Sequence, residues 1–410
     1  MHCSDIDLKL SGERGDYAVE LLNSPGSKRS EMRPLILPDD VNGWIERVRT
    51  RTGDRHEGKS LGKALFNSLF PLPIREIWHE ARGFTGDSGI LRVRLDVRSN
   101  ELMNIPWEMV HDGRGYRALS RRTPVVRYLH KNPSLRPLQS PRPPNVLLVT
   151  AGPRDLPLLN AVDKEIQEIC ELLKTFDACG KIGRLEILEH ATSSKLHAAL
   201  NAPFDVVHYM GHGAFRDDRG YLILEDSAGY AHWIEAETIS DLVRNTSVRL
   251  LLLNACDTAI PSPDESLVGV AHAAHAAGIP AVVAMQQTIL DQAAAEFASA
   301  FYQSFLALKP LETCLSSGRI AVKARLGNDS MEWAIPVMFS NAPAGSLYSL
   351  WEVAEATPAE PVVEVVAERP SIVIRDPIGQ INLGPIYGTA TSIVKTRNSR
   401  GLNNGSKRGA

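Results

Sequence analysis

The chain has no apolar run approaching the ~20 residues that a membrane-crossing helix requires. Its first residues, Met1-His-Cys-Ser-Asp, have neither the basic nor the apolar stretch of a secretory signal. A cytoplasmic protein with no membrane partner is expected. Cysteine is scarce, with five in 410 residues (Cys3, Cys170, Cys179, Cys256 and Cys314). The odd number and the lack of metal-ligand or redox spacing speak against a disulfide scaffold and for thiols in a reducing compartment. No phosphate-binding P-loop is present, and Gly211 and Gly213 do not complete a Gly-x-Gly-x-x-Gly pattern, so nucleotide chemistry lacks its cradle. Acidic residues are missing altogether from Gly113 to Asn145, while Arg114, Arg117, Arg121, Arg122, Arg127, Lys131, Arg136 and Arg142 accumulate there. The net charge of −3 nevertheless gives no general reason to expect nucleic acid as a partner.

What is present is the composition of a folded soluble protein, 43% apolar and 23% charged, long enough for two or three domains. Residues 1–136 read as a mixed α/β accessory domain. Leu8-Lys-Leu and Tyr17-Ala-Val-Glu-Leu-Leu are strand-like, and Gly62 to Phe70 is helical with Pro71 and Pro73 as stops. Ile90 to Arg98 alternates apolar and charged residues, the pattern of a half-buried strand. Ile105-Pro-Trp-Glu-Met-Val follows, and the ordinary role of such a Trp is core packing. Residues 137–144, with Pro137, Pro141, Pro143 and Pro144, have the composition of a linker at the main domain boundary. The basic residues leading into it are either a solvated linker or a patch for an acidic partner or nucleic-acid backbone.

From Asn145 strands and helices alternate. Strands are expected at 145–150, 185–188, 204–209, 221–226, 248–255, 281–285 and 334–339. Helices are expected at 160–176, 192–200, 235–243, 267–277, 291–308 and 311–325. Such alternation implies a mostly parallel sheet with helices on both sides. The extension 350–410 changes character. Its acidic residues end at Asp376, Ser371-Ile-Val-Ile-Arg and Gln380-Ile-Asn-Leu make a candidate isolated hairpin, and the end is rich in Asn, Gly, Ser, Lys and Arg, a composition that suits partial disorder.

Two of the strands end in reactive residues. Phe204 to Met210 runs into Gly211-His212-Gly213, and Val248 to Ala255 runs into Cys256-Asp257-Thr258. Ligands bind outside the carboxyl ends of strands in an open parallel sheet, so His212 and Cys256 belong to one edge. An imidazole beside a thiol draws off its proton and later returns it to the leaving amine. The main-chain N–H groups of Gly213 and Cys256 are candidates for an oxyanion hole.

His208-Tyr-Met-Gly-His212-Gly, Leu251-Leu-Leu-Asn-Ala-Cys256-Asp-Thr, Gly278-Ile-Pro-Ala-Val-Val-Ala-Met and Pro310-Leu-Glu-Thr-Cys-Leu closely resemble the CHAT family of caspase-like, separase-related cysteine peptidases. Leu102 to Asp112 resembles the region that often precedes the bacterial module. The resemblance spans roughly 91–342. It implies a caspase-hemoglobinase-like α/β fold over 145–349, a His212–Cys256 dyad, peptide-bond hydrolysis, and no metal or organic cofactor. It further implies a protein substrate, with an activator protein or a nucleic-acid-sensing complex as trigger, in a setting of bacterial defence or cell death. In separase-like relatives an acidic residue after the strand that follows the Cys contacts a basic P1 side chain. Asp291 stands at about that place here, and Asp257 is a second candidate.

Other readings of the same residues are plainer. His208 and His212 would lie about 13 Å apart along a strand, too far for a shared metal, which makes His208 a core residue. His272 and His275 have no acidic or thiol companions at metal spacing and read as surface residues. Asp291 also stands where a helix should begin, as an N-cap. A catalytically silent scaffold of this fold that recruits partners is the alternative function, and the presence of both dyad residues argues for the enzyme.

Overall fold

The computed structural model describes residues 3–27, 30–86, 89–130, 143–156, 162–217, 219–255, 267–287, 289–341, 374–376 and 379–381. The chain divides into two units, Met1–Glu355 and Ala356–Ala410. The larger unit opens with β1 (Cys3–Glu13), β2 (Asp16–Asn23) and β3 (Glu31–Pro34), then α1 (Val41–Arg49), α2 (Arg55–Leu69) and α3 (Ile74–Thr85). The start of α2 is set by a capping box. The Asp54 carboxylate accepts from the N–H groups of His56 and Glu57, and Glu57 reaches back to Asp54. Next come β4 (Ile90–Val97), the short α4 (Asn100–Met103), single 3-10 turns at Trp107–Met109 and Arg117–Leu119, and β5 (Val125–Arg127).

The alternating part follows as β6 (Asn145–Thr150), α5 (Val162–Ala178), β7 (Arg184–Leu188), α6 (Ser193–Leu200), β8 (Val206–Arg216), β9 (Arg219–Glu225), β10 (Ala231–Glu235) and α7 (Ala236–Val243). It continues with β11 (Leu250–Ala255), α8 (Val268–Ala276), β12 (Ala281–Met285), α9 (Asp291–Leu306), α10 (Leu311–Leu326) and β13 (Pro336–Ser340). The expected elements are present here, except that β8 runs on through Gly211-His212-Gly213 to Arg216 where a stop was expected, because its second half finds a new partner in β9. β10, the partner of β9, is an addition: its sequence Ala-His-Trp-Ile-Glu is too short and mixed to announce a strand. In the smaller unit β14 (Ile374–Asp376) and β15 (Gly379–Ile381) form the two-stranded antiparallel pair expected there.

Thirteen strands of the larger unit join in one sheet, ordered β7-β6-β8-β11-β12-β13-β5-β4-β1-β2-β3, with β9 and β10 added on the far half of β8. Neighbours are parallel from β7 to β12 and from β13 to β1; β13 runs antiparallel to β12, and β2 and β3 are antiparallel. This is the mostly parallel, helix-flanked sheet expected of a caspase-like fold. Strand side chains alternate between two cores, as a period of two requires. Val146, Leu148, Leu250 and Leu252 pack with α2, α3, α5, α9 and α10, whereas Leu147, Val149, Leu251 and Leu253 pack with α6, α7 and α8. The expected linker lies largely outside the described residues. The strands on its two sides share the sheet, Arg127 of β5 being in register with Phe339 of β13.

One strand departs from expectation. Instead of being half-buried, β4 is buried on both faces. Its charges are neutralised within the sheet, because Asp5 and Asp7 of β1 stand in register with Arg92 and Arg94. The fully buried Arg92 guanidinium donates to both oxygens of Asp5 at 2.7 and 2.9 Å and to Glu312 at 2.6 Å. Burial alone would lower the pKa of Arg92, but Glu312 and Asp5 outweigh it and raise it. Trp107 is core, as read, its indole N–H donating to the Leu102 carbonyl at 2.8 Å. No helix among the described residues is long and apolar enough to cross a membrane.

Candidate active site at the carboxyl edge of the sheet

The first half of β8 lies between β6 and β11 in the parallel sheet, with Met210 in register with Thr150 and Asn254, and Gly211 with Ala255. After Gly211 the strand leaves that sheet and pairs antiparallel with β9, beginning at His212 and Ile223. His212 therefore stands where β8 passes from its parallel neighbours to the antiparallel ribbon, on the carboxyl edge where small molecules and peptides gain access to such folds. Its side chain is 5% exposed.

Residues on either side of His212 hold the split in place. The one proton of the Tyr209 hydroxyl is shared between the main-chain carbonyls of His212, 2.8 Å away, and Ile223, 2.7 Å away, stitching the first pair of the antiparallel ribbon. Gly211 has to be glycine for this to occur, since a β-carbon there would lie 2.3 Å from the Tyr209 oxygen. Gly213 is required for another reason: its missing side chain is replaced by Leu267, whose Cδ2 would be 2.0 Å from a β-carbon. Leu267 is itself anchored by its N–H to the Met285 carbonyl at the end of β12, 3.2 Å away.

The described part of β11 ends at Ala255 opposite Gly211. Cys256 and Asp257 come next in the sequence and lie outside the described residues. Asn254, the Asn of the Asn-Ala-Cys motif, is buried. Among the other cysteines, burial raises the pKa of the Cys170 and Cys314 thiols, a setting that keeps a thiol unreactive. Cys3, Cys170, Cys179 and Cys314 form no disulfide.

The histidines divide as follows. His208 is a core residue, as read: burial pushes its pKa down to about 3, and its Nδ1 lies 3.2 Å from the Tyr302 hydroxyl. His275 is not a surface residue, and His272 is half-buried. His275 is 1% exposed with Nδ1 2.8 Å from the Ile279 carbonyl, and His272 packs on Phe339, because α8 lays this side against the sheet. Burial lowers the pKa of both. No group of three or more His, Cys, Asp or Glu among the described residues is arranged to hold a metal ion.

Helix α9 begins at Asp291 with Leu290 in the N-cap position, so Asp291 is the first helical residue and not the cap. Just before this helix the Glu332 carboxylate accepts the Leu290 N–H at 3.0 Å while pairing with Arg51 at 2.8 Å.

Sequence reasoning missed a buried network that ties the Pro-Trp-Glu segment to this edge. Glu108 and Arg127, both fully buried, pair at 3.0 Å. Gln286, the residue after β12, accepts from Arg127 at 2.8 Å and donates to Glu108 at 2.9 Å. The signal available was a lone acid inside the apolar run Ile105-Pro-Trp-Glu-Met-Val, which burial obliges to find a cation. A second buried carboxylate, Glu225 of β9, accepts the Gly152 N–H at 2.9 Å and lies 3.1 Å from Nδ1 of the exposed His190, joining the ends of β6, β7 and β9.

Residues 59–341 match the family model of the CHAT domain. Among solved structures, a crystal structure of the Saccharomyces cerevisiae separase–securin complex is similar over 82% of this chain and 30% of the matched chain, with a TM-score of 0.52 and 11% identity. A second crystal structure of that complex is similar over 67% of this chain and 17% of the matched one, at a TM-score of 0.41 and 13% identity. The chain thus spans less than a third of the separase-complex chains it matches. No curated protein matches.

Proposed function

Because the chain belongs to the CHAT domain family, we propose that it is a cysteine endopeptidase that cleaves specific protein targets through Cys256 and His212. The observation that carries this is the pairing of Gly211 with Ala255 in parallel strands. Neighbouring strands lie about 4.8 Å apart, and the next residue in each chain is one member of the proposed dyad. The last paired residues before the two proposed dyad members are thus direct neighbours in the sheet.

In the proposed reaction His212 takes the thiol proton as the Cys256 sulfur bonds to the scissile carbonyl carbon. The main-chain N–H groups of Gly213 and Cys256 stabilise the resulting oxyanion. As the C–N bond breaks, His212 returns the proton to the leaving amine. Water, deprotonated by the same imidazole, then releases the acyl group and restores the thiol. Support for His212 in this role comes from its seat where β8 changes partners, with its main chain fixed by Tyr209 and its flanking glycines closed over by Tyr209 and Leu267. Asp291 is the proposed selector of a basic P1 residue, a reading favoured by the occupation of the cap position by Leu290. Residues 145–349 form the proposed peptidase region and 1–136 its accessory part, acting on protein substrates under a trigger in a defence or cell-death setting.

The test is to incubate wild-type protein and Cys256→Ala with the proteins encoded beside its gene and to sequence new N-termini. New termini with the wild type alone are expected. Equal cleavage by both would refute the assignment.

A further inference from the structure

Arginines of the acid-free stretch that begins at Gly113 have separate fates. Arg127 is consumed by Glu108, and Arg117 pairs with Asp112 at 3.2 Å and donates to Thr123 at 3.1 Å. Arg121 turns toward Ser317, 3.5 Å away. Arg114 and Arg122 have no carboxylate partner among the described residues. Both line a cavity of about 260 Å³ together with His79, Arg82, Thr85 and Thr123. His79 and Arg82 come from one face of α3, three residues apart.

Only one described carboxylate answers this charge. Asp112 is shared, 3.4 Å from Arg82 on one side and 3.2 Å from Arg117 on the other, and is itself almost fully buried. Like charges crowd here: burial lowers the pKa of Arg117, Asp112 opposes this, and Arg82 and Arg114 lower it further. Gly83 and Gly86 form part of the wall, and a β-carbon on either would meet no atom within 4 Å. The mouth is open, and the lining contains one large aliphatic side chain, Leu91.

We propose that this cavity binds the diphosphate group of a small phosphorylated ligand. Guanidinium forks match phosphate oxygens two at a time, and several arginines around one open hollow suit adjacent phosphates. An anion there supplies the counter-charge that Arg114 and Arg122 lack among the described residues. A nucleic-acid strand would call for a stripe of such groups along a groove, whereas these converge on a single cavity. The site is independent of the peptidase reading.

Calorimetric titration of the full-length protein with pyrophosphate at low salt tests the proposal. One saturable site is expected, weakened by added salt. Arg114→Ala and Arg122→Ala should each reduce affinity by about tenfold or more, the loss of one charged hydrogen-bonding partner. Both residues are exposed, so unchanged melting temperatures should accompany the loss, and Arg219→Ala, on a distant strand, should bind as wild type. Absence of saturable binding at millimolar pyrophosphate, or wild-type affinity in both cavity variants, would overturn it. So would retention of an oligonucleotide that pyrophosphate does not displace.

Discussion

The hydroxyl of Tyr209 donates to the main-chain carbonyl of His212 at 2.8 Å, through the space that a side chain on Gly211 would need. A residue two positions before glycine and three before histidine thereby fixes the backbone of the proposed general base. The same hydroxyl holds the Ile223 carbonyl, so the site and the antiparallel ribbon are braced by one group.

Tyr209→Phe should cost about 1–3 kcal/mol of stability, the range for leaving buried polar groups without their partner. It should lower kcat more than it changes KM. Gly211→Ala should displace the phenol, so the Tyr209→Phe change should cost less in that background than in the wild type. A double-mutant cycle by urea denaturation measures this; simple additivity would mean that glycine and phenol act separately.

The Glu108–Arg127–Gln286 network predicts a large loss from one small change. Glu108→Ala leaves a fully buried guanidinium without its carboxylate, and breaking such a pair from one side costs about 3–5 kcal/mol. Arg219→Ala, which breaks an exposed pair with Glu235, should change stability by less than about 1 kcal/mol. Thermal melts of the two variants decide it, and similar shifts would speak against the network.

Stability should fall with acid in a manner traceable to His208. Its folded pKa, about 3, is far below the ordinary 6.5. Above pH 6.5 the imidazole is neutral in folded and unfolded chains alike. Between 6.5 and 3 the unfolded chain takes up a proton that the folded one refuses, which removes up to about 1.4 kcal/mol per pH unit. His272 and His275 act in the same direction. Denaturation curves at about pH 7 and pH 5 should therefore separate the wild type from His208→Gln, the variant losing less. Parallel curves would contradict the buried neutral state.

Much of this architecture can be read from periodicity. Leu250 to Leu253 alternate between two cores because the strand is covered on both sides, and the run of four leucines says as much. β4 misleads for a physical reason: its arginines look solvent-facing until β1 brings Asp5 and Asp7 into register, a long-range pairing with no local signature. His275 misleads likewise, since a helix exposes no sign of which face meets Phe339. At the site, Gly-His-Gly is legible as the place where β8 leaves its parallel neighbours, although the strand runs on to Arg216 instead of ending there, and the two glycines suggest close approach. That Tyr209 and Leu267 are what approach depends on tertiary folding alone.

Asp291 predicts selectivity. A peptide library varied at P1 should show preference for Arg or Lys, reduced by about tenfold or more in Asp291→Asn as a charged partner is lost. Preference for Leu or Met, or indifference to the substitution, would leave Asp291 as a helix-start residue only.

The central claim, that Cys256 is a nucleophile served by His212, is tested most directly by covalent capture. The protein is treated with an acyloxymethyl ketone peptide ending in Arg, and the intact mass and the modified residue are read by mass spectrometry. One adduct on Cys256 is predicted for the wild type, none for Cys256→Ala and a severalfold slower reaction for His212→Ala, with Cys170 and Cys314 unmodified. No adduct in the wild type, or one that persists at the same rate in Cys256→Ala, would contradict the account.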